Sequence, residues 1–208
     1  MSHVIAIAGK GGVGKTTLSG LLIQAMCKLG KTPILAVDAD ANSNLNEVLG
    51  VDVEMTLGEV REQIERAETS SQNPIPSGMS KADYAEIMFQ HCLNEDDDFD
   101  LLVMGRTQGK GCYCYVNGIL QAQMQKLLPH YQYMIVDNEA GMEHISRGIL
   151  PKVDTLILVS DCSRRGVQAA GRIAQLAKEC NLNPSTMGLI VNRAPGGKLN
   201  AGTLEEIE

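Results

Sequence analysis

Two lysines bracket a run of glycines in Gly9-Lys10-Gly11-Gly12-Val13-Gly14-Lys15-Thr16-Thr17. The pattern G-x-x-x-x-G-K-[ST] is complete, and in this pattern curled backbone amides converge on phosphate oxygens. Gly11, Gly12, Val13, Gly14, Thr16 and Thr17 form the cradle. Lys15 reaches the β- and γ-phosphates, and the Thr16 hydroxyl binds Mg²⁺. Lys10 is a second cation at the loop entrance, on the far side of the glycines from Lys15. Two acidic elements follow. Asp38-Ala39-Asp40 leaves an apolar run, where a carboxylate can position Mg²⁺-bound water or the attacking water. Asp137-Asn138-Glu139-Ala140-Gly141 follows Tyr133–Val136 and supplies the second acid that holds Mg²⁺, with Gly141 allowing a loop that changes shape on hydrolysis. Singly, each aspartate is as well explained by a turn or a helix cap. In this order behind a phosphate loop, the nucleotide reading prevails. Asn192-Arg193 follows Met187–Val191, where a side-chain amide can read an adenine edge or simply open the turn into Pro195-Gly196-Gly197.

A second chemistry is written in Gly109-Lys110-Gly111-Cys112-Tyr113-Cys114-Tyr115-Val116-Asn117. Thiols at i and i+2 can chelate one soft cation where the backbone turns, and the glycines before them allow the turn. A helix expected just after the pair favours thiolates at its N-terminus. Two sulfurs are too few to close a tetrahedral site, but a two-fold axis supplies four. Cys112 and Cys114 therefore expect a dimer. Of the six cysteines, Cys27 and Cys180 fall in helical stretches and read as packed thiols; Cys92 and Cys162 have no partner spacing.

The elements that position these residues are apolar runs alternating with helical periodicity. Candidate strands are Val4–Ala8, Pro33–Val37, Leu101–Met104, Tyr133–Val136, Leu156–Val159 and Met187–Val191. Helical segments are expected at 17–29, 57–67, 81–92, 116–128, 144–150 and 165–180. Alternating β and α with buried strands predicts an α/β fold, a mostly parallel sheet with helices on both faces, and a ligand at the carboxyl ends of the strands. Residues 69–80 read as a loop, and Asn94-Glu95-Asp96-Asp97-Asp98 as a solvated acidic turn before a strand. The 208 residues suit a single domain, 1–208, whose sheet is expected to continue in a C-terminal segment beyond Glu208. No apolar run reaches the roughly 18 residues of a membrane span. The start, Met1-Ser2-His3-Val4, enters a strand directly without a leader, so a cytoplasmic location with reduced thiols is expected. The net charge of −7 argues against a nucleic-acid partner held by bulk phosphate neutralisation.

The two-lysine loop, Asp38-Ala39-Asp40, Asp137 through Gly141 and Asn192-Arg193 together resemble the MinD/ParA/nitrogenase-iron-protein class of P-loop ATPases, over nearly the whole chain. The resemblance implies ATP as substrate and roles for three groups of residues. Lys10 is the signature lysine that crosses a dimer interface to the partner's phosphates. Asp40 orients the attacking water. Asp38 and Asp137 lie near the Mg²⁺ shell. Gly-Cys-Tyr-Cys followed by Val116-Asn117 is similar to the CooC-type nickel-insertion ATPases. This implies Ni²⁺ as cargo, Zn²⁺ as a competitor, a nucleotide- or metal-dependent homodimer, and carbon monoxide dehydrogenase or acetyl-CoA synthase as client. Ala41 departs from the proline that related sequences often carry there. Two alternatives stand beside this reading. One is an iron–sulfur carrier or reductase of the nitrogenase-iron-protein type, which would want well-separated cysteines. The other is a MinD/ParA-type positioning ATPase, which would want a membrane-targeting helix or a basic face.

Overall fold

The computed structural model describes residues 2–40, 42, 44–69, 74–106, 114–140 and 152–207. Cys112, Gly141 and the helix expected at 144–150 lie outside the described residues, as does Ala41.

The chain runs β1 (His3–Gly9), α1 (Lys15–Lys28), β2 (Ile34–Ala39), α2 (Leu45–Leu49), α3 (Leu57–Thr69), α4 (Lys81–His91), β3 (Leu93–Glu95), β4 (Phe99–Val103), α5 (Cys114–Leu127), β5 (Tyr133–Asn138), β6 (Thr155–Asp161), α6 (Arg164–Glu179), β7 (Thr186–Asn192) and α7 (Ala201–Ile207). The strands form one sheet in the order β3-β4-β2-β5-β1-β6-β7. Every pairing is parallel except β3 with β4. The expected α/β architecture, mostly parallel with helices on both faces, is what the structure has.

Alternation along each strand divides two cores. Val4, Ala6 and Ala8 of β1, Leu35 and Val37 of β2 and Met134 and Val136 of β5 pack with Leu57, Ile64, Phe89, Leu120 and Met124 of α3, α4 and α5. Ile7, Ile34, Ala36 and Ile135 face the other way, against Ile23 and Met26 of α1 and Leu45 of α2. Each such large side chain, fully buried, contributes about 1.5–3 kcal/mol of transfer free energy. Caps fix where helices begin. Ser80 accepts from Asp83 N at 3.1 Å. Thr56 and Glu59 form a reciprocal box in which Thr56 N donates to Glu59 Oε2 at 2.7 Å and Glu59 N to Thr56 Oγ1 at 3.3 Å. No helix among the described residues is long and apolar enough to cross a membrane.

Several boundaries differ from the sequence reading. β2 begins at Ile34, not Pro33, and runs on through Asp38, so that aspartate is a strand residue. Asp137 is likewise inside β5. α5 begins at Cys114, two residues earlier than expected, so Cys114 opens the helix and does not precede it. Asn94 and Glu95 are not part of a turn: they pair with Leu101 and Asp100 as an antiparallel edge strand, and the turn itself is 96–98. The Asn94 amide explains this, donating to Cys92 O at 3.0 Å and Leu101 O at 3.2 Å.

Candidate functional site

The carboxyl ends of β1, β2 and β5 come together because their register aligns them. Ile7 lies opposite Asp137, and Asp137 opposite Asp38. β1 leaves the sheet at Gly9, where a Cβ would come within 2.3 Å of the Val159 carbonyl oxygen. The chain then curls through Gly12 (φ 77°) and Gly14 (φ 98°), which caps α1 in a left-handed conformation that other residues adopt at a cost. The result is a cavity of about 610 Å³. Gly11, Gly12, Gly14, Lys15, Thr16 and Thr17 form one wall, Asp40, Asn42 and Asn44 a second, and Glu139, Ala140 and Arg193 a third.

Lys15 is buried, and its Nζ donates to the Lys10 carbonyl oxygen at 3.4 Å, so the ammonium bridges the loop from inside. Lys10 itself is exposed at the rim. The Val13 side chain turns into the core and not into the cavity. Its carbonyl accepts from Asn192 Nδ2 at 2.9 Å. Asn192, assigned from sequence to an adenine edge or a turn, therefore holds the phosphate loop, while its neighbour Arg193 lines the cavity with φ 58°. The close approach requires Gly14: a Cβ there would stand 2.6 Å from Asn192 Nδ2.

Asp38 and Asp137 lie under the cavity, not in its lining. Asp38 is fully buried, and both its oxygens accept backbone N–H groups, Oδ1 from Asp40 at 3.0 Å and Oδ2 from Leu45 at 2.9 Å. Burial pushes its carboxyl up to about 6, against the pull of those two hydrogen bonds. Asp137 is 1% exposed. Burial raises it too, opposed by hydrogen bonds from Thr16 and Ser19 and by the charge of Lys15. The Ser19 hydroxyl donates to Asp137 Oδ1 at 3.1 Å, but Oδ2 is buried with no partner among the described residues. A desolvated carboxylate with one oxygen unclaimed, hydrogen-bonded to the loop threonine, fits a hard divalent cation.

Asp40 faces the cavity, and its Oδ1 accepts from the Asn42 backbone N at 2.8 Å and from Asn42 Nδ2 at 3.1 Å. Sequence reasoning missed Asn42, Ser19 and Asp161. Ser19 carried a signal, a hydroxyl one helical turn past Lys15. Asp161 ends β6 opposite Asn192; hydrogen bonds from Ser163 hold its carboxyl below the usual range, and the charges of Lys10 and Arg193 add to this. Of the cysteine pair, Cys112 lies outside the described residues, and Cys114 is placed by its backbone as the first residue of α5. Among the described residues, no three of His, Cys, Asp and Glu gather in a metal-holding group.

The family described as an AAA domain matches residues 2–186, and the chain belongs to it, among the P-loop NTPases of the MinD/ParA class. It is 43% identical over 190 residues to the uncharacterized ATP-binding protein MJ0685 of Methanocaldococcus jannaschii, a match covering 91% of this chain and 74% of that protein. It is 32% identical over 214 residues to the carbon monoxide dehydrogenase accessory protein CooC of Rhodospirillum rubrum, over 91% of this chain and 79% of that one. The septum site-determining protein MinD of Pyrococcus horikoshii, solved in complex with Mg-ADP, shares the fold with a TM-score of 0.66 at 21% identity, covering 100% of this chain and 77% of that chain.

Proposed function

We propose that this chain is an ATP-hydrolysing metallochaperone that carries Ni²⁺ on Cys112 and Cys114 at a homodimer interface and releases it to carbon monoxide dehydrogenase or to acetyl-CoA synthase. The observation that carries the reading is the start of α5. Cys114 opens that helix, on the chain leaving β4, and the last residue of β4, Val103, lies opposite Asp38 at the nucleotide edge of the sheet. A thiol at a helix N-terminus favours its thiolate, the form that binds metal. The 32% identity to a carbon monoxide dehydrogenase accessory protein supports the choice of client.

ATP binds in the cavity with its phosphates on the amides of Gly11 to Thr17, and Lys15 neutralises the β- and γ-oxygens from within the loop. Mg²⁺ neutralises charge on the transferring phosphoryl group when bound, and Thr16 and Asp137 would hold it. Asp38 acts one step removed: it ties Asp40 and the start of α2 to the strand end. Asp40 orients the attacking water. Lys10, exposed at the rim, is free of the loop interior and reaches the phosphates of a second subunit. A cation supplied in trans acts only in the closed dimer, which links hydrolysis to dimerisation and so to completion of the four-sulfur metal site. The positioning-ATPase reading keeps support from the fold shared with MinD. The iron–sulfur reading predicts a brown anaerobic preparation with stoichiometric iron and sulfide.

The test is the double variant Cys112→Ala/Cys114→Ala. It is expected to lose Ni²⁺ and Zn²⁺ stoichiometry and metal-linked dimerisation while ATP affinity is retained. Unchanged metal stoichiometry in the double variant would remove the cysteine pair from the reading.

A further inference from the structure

We infer that Arg106 is a positioning residue for the nucleotide site, holding Asp40 in place through the side-chain amide of Asn42. The inference rests on the reading of Asp40 as the residue that orients the attacking water.

Arg106 Nη2 donates to Asn42 Oδ1 at 2.5 Å. The same amide turns its Nδ2 to Asp40 Oδ1 at 3.1 Å. A carboxylate on one side and a guanidinium on the other leave the amide one orientation, since a flip would set donor against donor and acceptor against acceptor. The guanidinium also polarises the amide, so the hydrogen bond to Asp40 is stronger than an isolated amide would make. Asp40 thus has its oxygen aimed, through Asn42 of the cavity wall, by a guanidinium that is not itself among the lining residues.

The backbone that carries Arg106 is tied to the sheet and to α3. Met104 N donates to Asp38 O at 2.8 Å, extending the β2–β4 ladder by one step, and Gly58 N of α3 donates to Met104 O at 2.8 Å. The chain then turns at Gly105 (φ 67°), where a Cβ would stand 2.6 Å from Thr56. A Cβ on Gly58 would stand 2.3 Å from the Arg106 carbonyl oxygen. Residues 104–106 are therefore wedged between β2 and the first turn of α3. The backbone that bears the guanidinium is anchored to the sheet, and the guanidinium ties Asn42 of the cavity wall to it. A displacement of a catalytic group by fractions of an ångström is enough to slow a reaction markedly.

The experiment compares the wild-type chain, Arg106→Ala and Arg106→Lys for kcat and KM in ATP hydrolysis, with active sites counted by fluorescent-nucleotide stoichiometry so that misfolded chains do not enter kcat. Arg106→Ala is expected to lower kcat about tenfold, one hydrogen bond's worth of positioning, with ATP affinity within about twofold of wild type. Arg106→Lys recovers part of the loss, because an ammonium still donates to Asn42 Oδ1 but without the planar fork. An unchanged kcat in Arg106→Ala overturns the inference, as does a fall in ATP affinity that accounts for the whole effect. Asp40→Ala separates the two levels. Inert Asp40→Ala beside fully active Arg106→Ala sinks the relay and leaves the reading of Asp40 intact; active Asp40→Ala removes that reading itself.

Discussion

The ends of β2 and β5 carry the same residue at the same register, and the structure uses the two differently. Asp38 and Asp137 lie opposite each other, both buried, both with carboxyls raised by desolvation. Asp38 spends both oxygens on backbone N–H groups, one from Asp40 and one from Leu45 at the start of α2. Asp137 takes hydrogen bonds from Ser19 and Thr16 and leaves Oδ2 without a partner among the described residues. Burial alone therefore does not tell a structural acid from a functional one. What separates them is whether both carboxylate oxygens already hold a hydrogen bond inside the fold.

The same isosteric change at both positions separates the two carboxylates. Asp137→Asn is expected to reduce Mg²⁺-dependent ATP hydrolysis by about a hundredfold or more, because the charge that would face Mg²⁺ in the proposed site is gone. Its unfolding midpoint should move little, since Ser19 keeps an acceptor. Asp38→Asn is expected to do the reverse. One backbone N–H then meets an NH₂ group in place of an oxygen, at a cost of about 1–3 kcal/mol, read as a lowered denaturant midpoint. Cys92 provides a built-in gauge. Burial pushes its thiol up to about 12, and it donates to Met88 O at 3.4 Å, so it stays protonated and shielded at pH 8 in the folded chain. Pulsed alkylation at pH 8 should leave Cys92 unmodified in Asp137→Asn and modify it faster in Asp38→Asn. Equal behaviour of the two variants in both assays would erase the distinction.

A smaller effect belongs to Asn192, the residue on the other flank of the phosphate loop. Removing its amide in Asn192→Ala releases the Val13 carbonyl and is expected to weaken nucleotide binding about five- to tenfold, the worth of one hydrogen bond. Because the contact is to the loop, ATP and GTP should lose affinity alike. A loss confined to ATP would return Asn192 to the adenine edge.

Much of the sheet was legible because parallel strands buried on both faces read as continuous apolar runs, as in Leu35–Val37 and Met134–Val136. The phosphate loop was legible because glycine spacing and a strand before it specify its geometry almost alone. What stayed hidden depends on partners distant in sequence. α2 is five residues long and owes its start to Asp38 across the loop. β3 is polar and is held by the Asn94 amide as well as its ladder. The tie between Asn42 and Arg106 spans 64 positions and has no spacing signal. Ser19 carried only a weak signal, a hydroxyl one turn past Lys15, and its role depends on Asp137, 118 positions away. Asn192, the last residue of β7, shows the same dependence on distance: the carbonyl it meets belongs to Val13, a residue 179 positions earlier.

In the proposed mechanism, two incomplete half-sites depend on one event. Lys10 would act on the partner's phosphates, and Cys112 with Cys114 would supply two of four sulfurs, so a second copy of the chain would complete both. The most direct measurement is metal content across a size-exclusion profile of anaerobically loaded protein, run with and without ATP. The account predicts about one Ni²⁺ or Zn²⁺ per two chains, carried in a dimer peak whose population depends on nucleotide. Metal carried by monomers at the same stoichiometry whether or not ATP is present would contradict it.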